Sequence, residues 1–596
     1  MKPCLPLFVL LCCPLGLFGQ TVATLELSGI PLESSDYGIR GNAFPLSWDK
    51  SVPLTKTDEG YTVTLTFPEE TNEVEFKFVY RTNDQVVWEG IDNRKLVLPG
   101  AGQISEQFNW SQEQVIDITK LGLLEPAALL ADFELIETMV REVHPGTYRY
   151  NDAASIDAAL EKLRKTFSQP QSYQQAYLAI SELTAALKCD HTKAGFNNQG
   201  PIINAILHYQ ADKLPFTFAW VEDQMIVIYN ASENPNLKRG SKVLKVNGVD
   251  VATIRDEIVR HIGADGATDS NRLYKAQING YDFRYNAFDI FFPLLYPFQG
   301  NEVSLELQPL GGDEPVLLKV STLTREERAR RLTERFPEFP ATRDDLWRFK
   351  IVGDRIGVLT MNSFGLRGWK AMTLDYKQFL ADAFDTLQTQ GIKHLILDIR
   401  ENNGGNDEMA DELFGYLAET KAPSMREGRT RYVKFPASLK PYVQSWGEEP
   451  WYFQLNPESP TPTDGYYIFK DNFATSEEKS DKPIYEGSCY LLTGPANTSL
   501  AFYTALRFQE QELGTIVGRE TGGNLNDING GQILFLRLPN SEIEIDFPVM
   551  GGFAPSPQPN TGVQPDVRTV YKVEDVAQGR DLEMEAVLSL IDRESL

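Results

Sequence analysis

Two turns in this sequence carry the residue types of acyl-transfer chemistry. The first is Asp398-Ile399-Arg400-Glu401-Asn402-Asn403-Gly404-Gly405-Asn406, where an apolar strand pattern runs into paired glycines and an asparagine suited to cap a helix. Glycines let a backbone approach a ligand closely and aim N–H groups at a developing oxyanion. The same spacing also suits a plain strand-to-helix turn. The second is Leu491-Leu492-Thr493-Gly494-Pro495-Ala496-Asn497-Thr498-Ser499-Leu500. It places Ser499 at or near a helix N-terminus, where the dipole favours negative charge and the next N–H can complete an oxyanion hole. Serine and threonine at that place are also the common helix caps, so Ser499 and Thr498 carry that second reading.

A serine nucleophile needs a base, and the chain offers five histidines: His144, His191, His208, His261 and His394. His191, within Lys188-Cys189-Asp190-His191-Thr192, follows a helical segment at a break between elements, where loops carry function. A lone histidine is as readily structural. His144-Pro145 reads as a helix end. Scattered acids such as Glu113 and Asp117 show no metal-ligand spacing, so neither a metal nor an organic cofactor is expected.

The elements that must position these residues follow from length and pattern. With 596 residues, 42% of them hydrophobic, the chain can bury three or four domain cores. A net charge of −26 without a cluster of Lys and Arg speaks against nucleic acid. From Thr21 to about Trp110, short alternating segments such as Tyr61 to Phe67 and Val74 to Tyr80 predict a β-sandwich. Leu129, Phe133, Ile136, Met139 and Val140, then Ile156, Leu160 and Leu163, then Ile180, Leu183 and Leu187 lie at helical spacing, predicting about three helices between Ala127 and Leu187. Strands return from Leu214 to about Thr322, one closing on the tight-turn pair Asn247-Gly248. From about Ile351, apolar strands alternate with amphipathic helices, the signature of a sheet covered on both faces. A stretch from about Arg426 to Pro483, rich in Pro, Tyr and Trp, interrupts that alternation and reads as an insertion.

Residues 1–19 have the charged start, apolar Leu5 to Phe18 and small-residue exit of a secretory signal, and no later stretch is long and apolar enough to span a membrane. Export to the periplasm or the exterior is expected. Three of the five cysteines fall in that signal, leaving Cys189 and Cys489, too few for a disulfide framework.

From Pro126 to the C-terminus the sequence resembles the serine peptidase family of the carboxy-terminal processing proteases and the tricorn core protease. The marks, in family order, are Asp190-His191-Thr192, the Gly240-Ser241 to Asn247-Gly248 region, Asp398 to Gly405, the Leu-Thr-Gly strand before Ser499, Val517 to Gly523, and Gly562-Val563-Gln564-Pro565-Asp566-Val567. The resemblance implies a multidomain α/β protein. It would have a crotonase-like catalytic core at 345–575 with its insertion at about 426–483, a helical cap at 120–200, a PDZ-like domain at 210–325 and a C-terminal helix at 576–596. It further implies Ser499 as nucleophile, with Leu500 and Gly404 or Gly405 forming the oxyanion hole, and a protein or peptide substrate. The processing-protease branch uses a lysine 25 positions beyond the nucleophile, and here that residue is Asn524. The tricorn branch uses a histidine from the helical region, the place His191 occupies. That branch also has a glutamate before the Gly-Val-x-Pro-Asp segment. Here the run is Pro557-Gln558-Pro559-Asn560-Thr561, which leaves Gln558, Asn560, Glu520 and Asp527 as alternatives for orienting the imidazole. The missing acid also leaves open a catalytically inactive protein that binds peptide or glucan.

The N-terminal segment 20–112, an Ig-like β-sandwich, resembles starch-binding carbohydrate-binding modules through Arg40-Gly41-Asn42, Trp48-Asp49, Phe76-Lys77-Phe78, Trp88-Glu89 and Asn93-Arg94. That resemblance implies an α-glucan ligand on Trp48 and Trp88, with Lys77 and Asn93 bonding hydroxyls. The alternative is a sandwich kept as a spacer, with both tryptophans in its core.

Overall fold

In the computed structural model the chain divides into two units, 1–119 and 120–596. The structure describes residues 20–594 except 29, 31–35, 58–59, 69–70, 83–84, 90–92, 111–115, 117, 209, 280–285, 313, 340–343, 366–373, 420–426, 446–450, 457–460 and 470–478. The expected signal at 1–19 lies outside the described residues.

In the first unit the alternating segments become strands, and Tyr61–Pro68 shows the alternation most plainly. Tyr61, Val63, Leu65 and Phe67 of the strand Tyr61–Pro68 are buried while the residues between them are not. That strand pairs antiparallel with Gln20–Ser28, which pairs in parallel with Gly102–Asn109. A second sheet is built on Glu73–Thr82, and Leu25, Ile39, Leu65, Phe76, Phe78 and Trp110 share one core between the two. Inside it Glu89 and Arg94 form a bidentate pair, and Glu89 also accepts from the Phe78 N–H at 2.8 Å.

The second unit opens with three helices, Pro126–Thr138, Ala153–Phe167 and Tyr173–Ala186. Every apolar residue at helical spacing named above is buried. Asp152 caps the second helix, and a Ser172/Gln175 capping box starts the third. A five-strand antiparallel path follows, in the order Phe216–Val221, Gln224–Asn230, Lys242–Val246, Glu302–Gln308 and Val316–Ser321. Asn247 and Gly248 both have positive φ, as a two-residue turn of that hand requires.

A six-stranded sheet then runs Trp347–Val352, Ile356–Met361, His394–Asp398, Ser488–Thr493, Thr515–Gly518 and Val567–Arg568, parallel throughout except for the first pair. Its strands are apolar on both faces. Leu395 and Leu397 pack with the helices Tyr376–Thr389, Asp407–Gly415 and Ser499–Glu510, while Ile396 faces Val587 and Ile591 of the C-terminal helix Leu582–Glu594. The stretch read as an insertion contributes Gly428–Thr430, Val443–Gln444 and Tyr467–Phe469 to a further sheet built on Gly531–Arg537 and Glu544–Gly552. Lys193–Ala194 joins the same sheet, with Lys193 opposite Asp546. Asp132, on the first helix, accepts from Asn540 and Ser541 in the turn of that hairpin.

Side-chain amides tie the ends of adjacent parallel strands together. Asn497 is fully buried. Its Nδ2 donates to the carbonyls of Ile399 (2.5 Å) and Asn402 (2.9 Å), and its Oδ1 accepts from the Gly494 N–H at 2.8 Å. Arg400 grips Asp398 bidentately and reaches Asp581 and Glu583 at the start of the C-terminal helix. Asn497→Ala leaves these carbonyls and an N–H unpartnered in the interior, so it is expected to cost about 3 kcal/mol or more of stability in denaturant melts. An unchanged melt would show that the two turns hold their register without it.

Candidate active site

Ser499 begins the helix Ser499–Glu510 with φ of +49°, a left-handed conformation uncommon for a residue with a Cβ. The capping reading does not describe either hydroxyl. Thr498 occupies the cap position, but its side chain makes no capping bond, and its Oγ1 donates weakly to the Asn403 carbonyl at 3.4 Å. Among the described residues the Ser499 hydroxyl makes no hydrogen bond, and it is half-buried.

Gly404 faces it. A Cβ at Gly404, whose φ is +108°, would stand 2.8 Å from Ser499 Cβ, 2.9 Å from the Leu500 nitrogen and 3.3 Å from Ser499 Oγ, so only glycine leaves that space open. The Leu500 N–H lies in the first helical turn, where donors lack intrahelical partners. The Gly404 N–H donates to Asn402 Oδ1 at 2.8 Å, while Asn402 Nδ2 holds the Met361 carbonyl. Gly405, with φ of +144°, follows between the bonds that Gly404 and Asn406 make to Phe364.

The loop carrying His191 is held residue by residue. Cys189 Sγ contacts the Asn529 carbonyl at 3.7 Å, the Asp190 N–H donates to Asp265 Oδ1 at 3.0 Å, and the Asp190 carboxylate pairs with Lys275. The Thr192 hydroxyl bonds His144 Nε2 at 2.6 Å. Since His144 Nδ1 accepts from the Gly146 N–H, the proton is on Nε2 and is donated to Thr192. His144 is thus a structural support. The His191 ring lies against Gly530, where a Cβ would come 3.0 Å from Cε1. Its Nδ1 is buried without a partner, and burial, helped by the Lys193 charge, pushes its pKa down to about 3. A neutral imidazole keeps a lone pair free to take a proton. No hydrogen bond joins it to Ser499 among the described residues.

Of the residues considered for orienting the imidazole, none bonds it. Gln558 turns to Ser556, and Glu520 accepts from the Gly562 N–H. Asp527 accepts from the Tyr503 hydroxyl and the Ile528 N–H. Asn560 Oδ1 accepts from Asn524 Nδ2 (2.7 Å) and the Ala267 N–H (3.2 Å). Asn524, the residue in the lysine place, thus joins Asn560 against the turn Asp265 to Ala267. The carboxylate beside His191 is Asp265, which sequence reading missed. It is 1% exposed, and its Oδ2 has no partner. Burial, opposed by Arg149, pushes its pKa up to about 7. Donor atoms of Cys189, His191 and Asp265 all lie within 4.8 Å of one another. The only sequence signal for Asp265 is its flanking glycines, which mark a turn but no chemistry. Thr268 links this side to the other turn by donating to the carbonyls of Asp265 and Gly522, and the N–H groups of Gly522 and Gly523 donate to the Asn497 carbonyl.

In the first unit Trp48 and Trp88 stand 6.1 Å apart between ring centroids, and the Arg40 guanidinium lies over Trp88. Trp88 is exposed and Trp48 half-buried, so neither is a core residue. Lys77 is half-buried opposite Arg40 in the strand pairing, and Asn93 Nδ2 donates to Glu75 at 3.2 Å.

Comparison with known proteins finds similarity over the region that contains the Ser499 turn. Residues 355–569 match the model of peptidase family S41. No curated protein matches the sequence. Among solved structures, the fold is similar to that of mature CPAF complexed with lactacystin, with a TM-score of 0.52 at 13% identity over 78% of this chain and 98% of that one. A mutant of CPAF gives a TM-score of 0.51 at 13% identity over 76% of this chain and 94% of that one. The turns bearing Gly404 and Ser499 both lie within the matched residues, whereas His191 and Asp265 lie outside them. Residues 355–569 are therefore similar to peptidase family S41, and this match together with the shared fold supports a serine peptidase.

Proposed function

We propose that the chain is an exported endopeptidase in which Ser499 attacks a peptide carbonyl and His191 takes the hydroxyl proton. The observation that carries this reading is the unbonded Ser499 hydroxyl, held in a left-handed conformation at a helix N-terminus and facing Gly404. Oγ forms the bond to the carbonyl carbon, and the oxyanion is met by the Leu500 N–H and, because the Gly404 N–H serves Asn402, by that of Gly405. Protonated His191 returns its proton to the leaving amine, and water then hydrolyses the acyl-enzyme. Asp265 is the carboxylate placed to orient the ring. In this reading the six-stranded sheet with its helices is a crotonase-like core, the sheet from Phe216 to Ser321 a PDZ-like domain, and residues 1–19 a cleaved signal.

A fluorophosphonate probe is expected to label the full-length protein at Ser499. Ser499→Ala should abolish labelling, and His191→Ala should slow it at least about a hundredfold. Gly404→Ala fills the space in front of the hydroxyl and should slow labelling by a similar factor. An unlabelled wild type would favour a second reading, a peptide-binding protein that keeps the fold without the activity. The missing Ser499–His191 hydrogen bond is the observation on its side.

For the first unit we propose an α-glucan ligand stacked on Trp48 and Trp88, supported by the pairing of the exposed Trp88 with the half-buried Trp48. The full chain should be retarded on a starch column, and Trp48→Ala with Trp88→Ala should run unretarded. Equal retardation of the two proteins would remove the glycan reading.

A further inference from the structure

Cys189 and His191, two residues apart in one loop, meet Asp265 from the segment that follows the helix Val251–Ile258, and their donor atoms lie within 4.8 Å of one another. Cys189 and Asp265 are fully buried, while His191 is half-buried and forms the open side. On two of these three residues a buried polar atom, His191 Nδ1 and Asp265 Oδ2, has no partner. Buried polar atoms normally find one, and two orphans on residues clustered with a thiol suit an incomplete coordination set. A thiolate, an imidazole and a carboxylate are the ligand types of an open zinc site that keeps its fourth position for water.

We propose that Cys189, His191 and Asp265 bind a borderline-soft divalent cation, Zn²⁺ being the type, and that occupancy switches the peptidase off by taking the imidazole out of proton transfer. The second half rests on His191 as the base. On binding, the Cys189 thiol gives its proton to solvent and a sulfur–metal bond forms. Asp265 keeps the Asp190 N–H on Oδ1 and turns its unpartnered Oδ2 to the metal. Ligands of a tetrahedral zinc stand roughly 3.5 Å apart, so the side chains close by about an ångström. Thiolate and carboxylate together cancel the charge of the dication, so the loaded site is neutral beside Lys193, Lys275 and Arg149. Without metal the thiol is inert, because burial pushes its pKa up to about 11.

Cobalt(II) titrated into the full chain is expected to give a thiolate-to-metal charge-transfer band and tetrahedral visible bands at one equivalent, both displaced by zinc. Cys189→Ser should abolish the charge-transfer band, Cys489→Ser should keep it, and Asp265→Asn should weaken cobalt binding at least tenfold. Zinc should slow fluorophosphonate labelling of Ser499 at least tenfold, a chelator should restore it, and Cys189→Ser should need at least ten times more zinc for the same effect. The absence of a thiolate band, or its survival in Cys189→Ser, overturns the site. A cobalt band with labelling indifferent to zinc overturns the switch. A wild type that takes no probe overturns the peptidase reading instead, and the cobalt spectrum still decides the site. If Cys189→Ser does not fold, Asp265→Asn supplies the same comparison.

Discussion

The carboxamide of Asn497 joins the ends of two neighbouring parallel strands, and the geometry of the candidate active site depends on it. One strand ends in Ile399 to Asn402 and the other in Gly494 to Ser499, and a single buried amide satisfies a group on each. Chemistry at a carbonyl tolerates misplacement of well under an ångström, so the two loops that would supply nucleophile and oxyanion donors in the proposed mechanism must move as one body. Around this link the other motif residues take structural parts. Asn402 fixes the approach of Gly404, and Asp398 with Arg400 ties the strand end to the C-terminal helix.

Much of this was legible because it is local. Helical periodicity marked Leu129 to Leu187, and strands apolar on both faces announced a covered sheet. The Ser499 and Gly404 turns stood out because glycine and serine are required where a backbone bends sharply at a strand end. What sequence could not show is non-local. Asp265 reaches His191 only through the packing of two distant loops. The stretch from Arg426 to Pro483 read as an insertion because its strands are two or three residues long and find partners far along the chain. Gln558 and Glu520 fit a spacing argument, but each is used by a near neighbour, Ser556 and Gly562. Asn524 read as the loss of a base, and its amide instead steadies the turn beside the base.

The two sides of the site are built by different physics. Ser499 is presented by backbone conformation and a helix end, whereas His191 is presented by a loop packed into the interior. Burial holds Asp265 and Asp546 near a pKa of about 7 and keeps His144 and His191 neutral, so proton positions around the base follow from solvent exclusion more than from ion pairs. A water-poor surround also strengthens every dipole that faces the reacting carbonyl.

The pairing of Lys193 with Asp546 sets an order of events during synthesis. The loop of His191 pairs with the strand Glu544–Gly552, and the histidine's neighbour Gly530 lies almost as far along the chain, so both contacts require most of the chain to have been made. Contacts this far apart in sequence form last, because the intervening chain must be ordered before they are rewarded. On the mechanism proposed above, a partly synthesised or unfolded chain has a serine without its base. Under that mechanism the chain would stay harmless to its own unfolded form and to the machinery that makes it until nearly the whole polypeptide has closed around the loop.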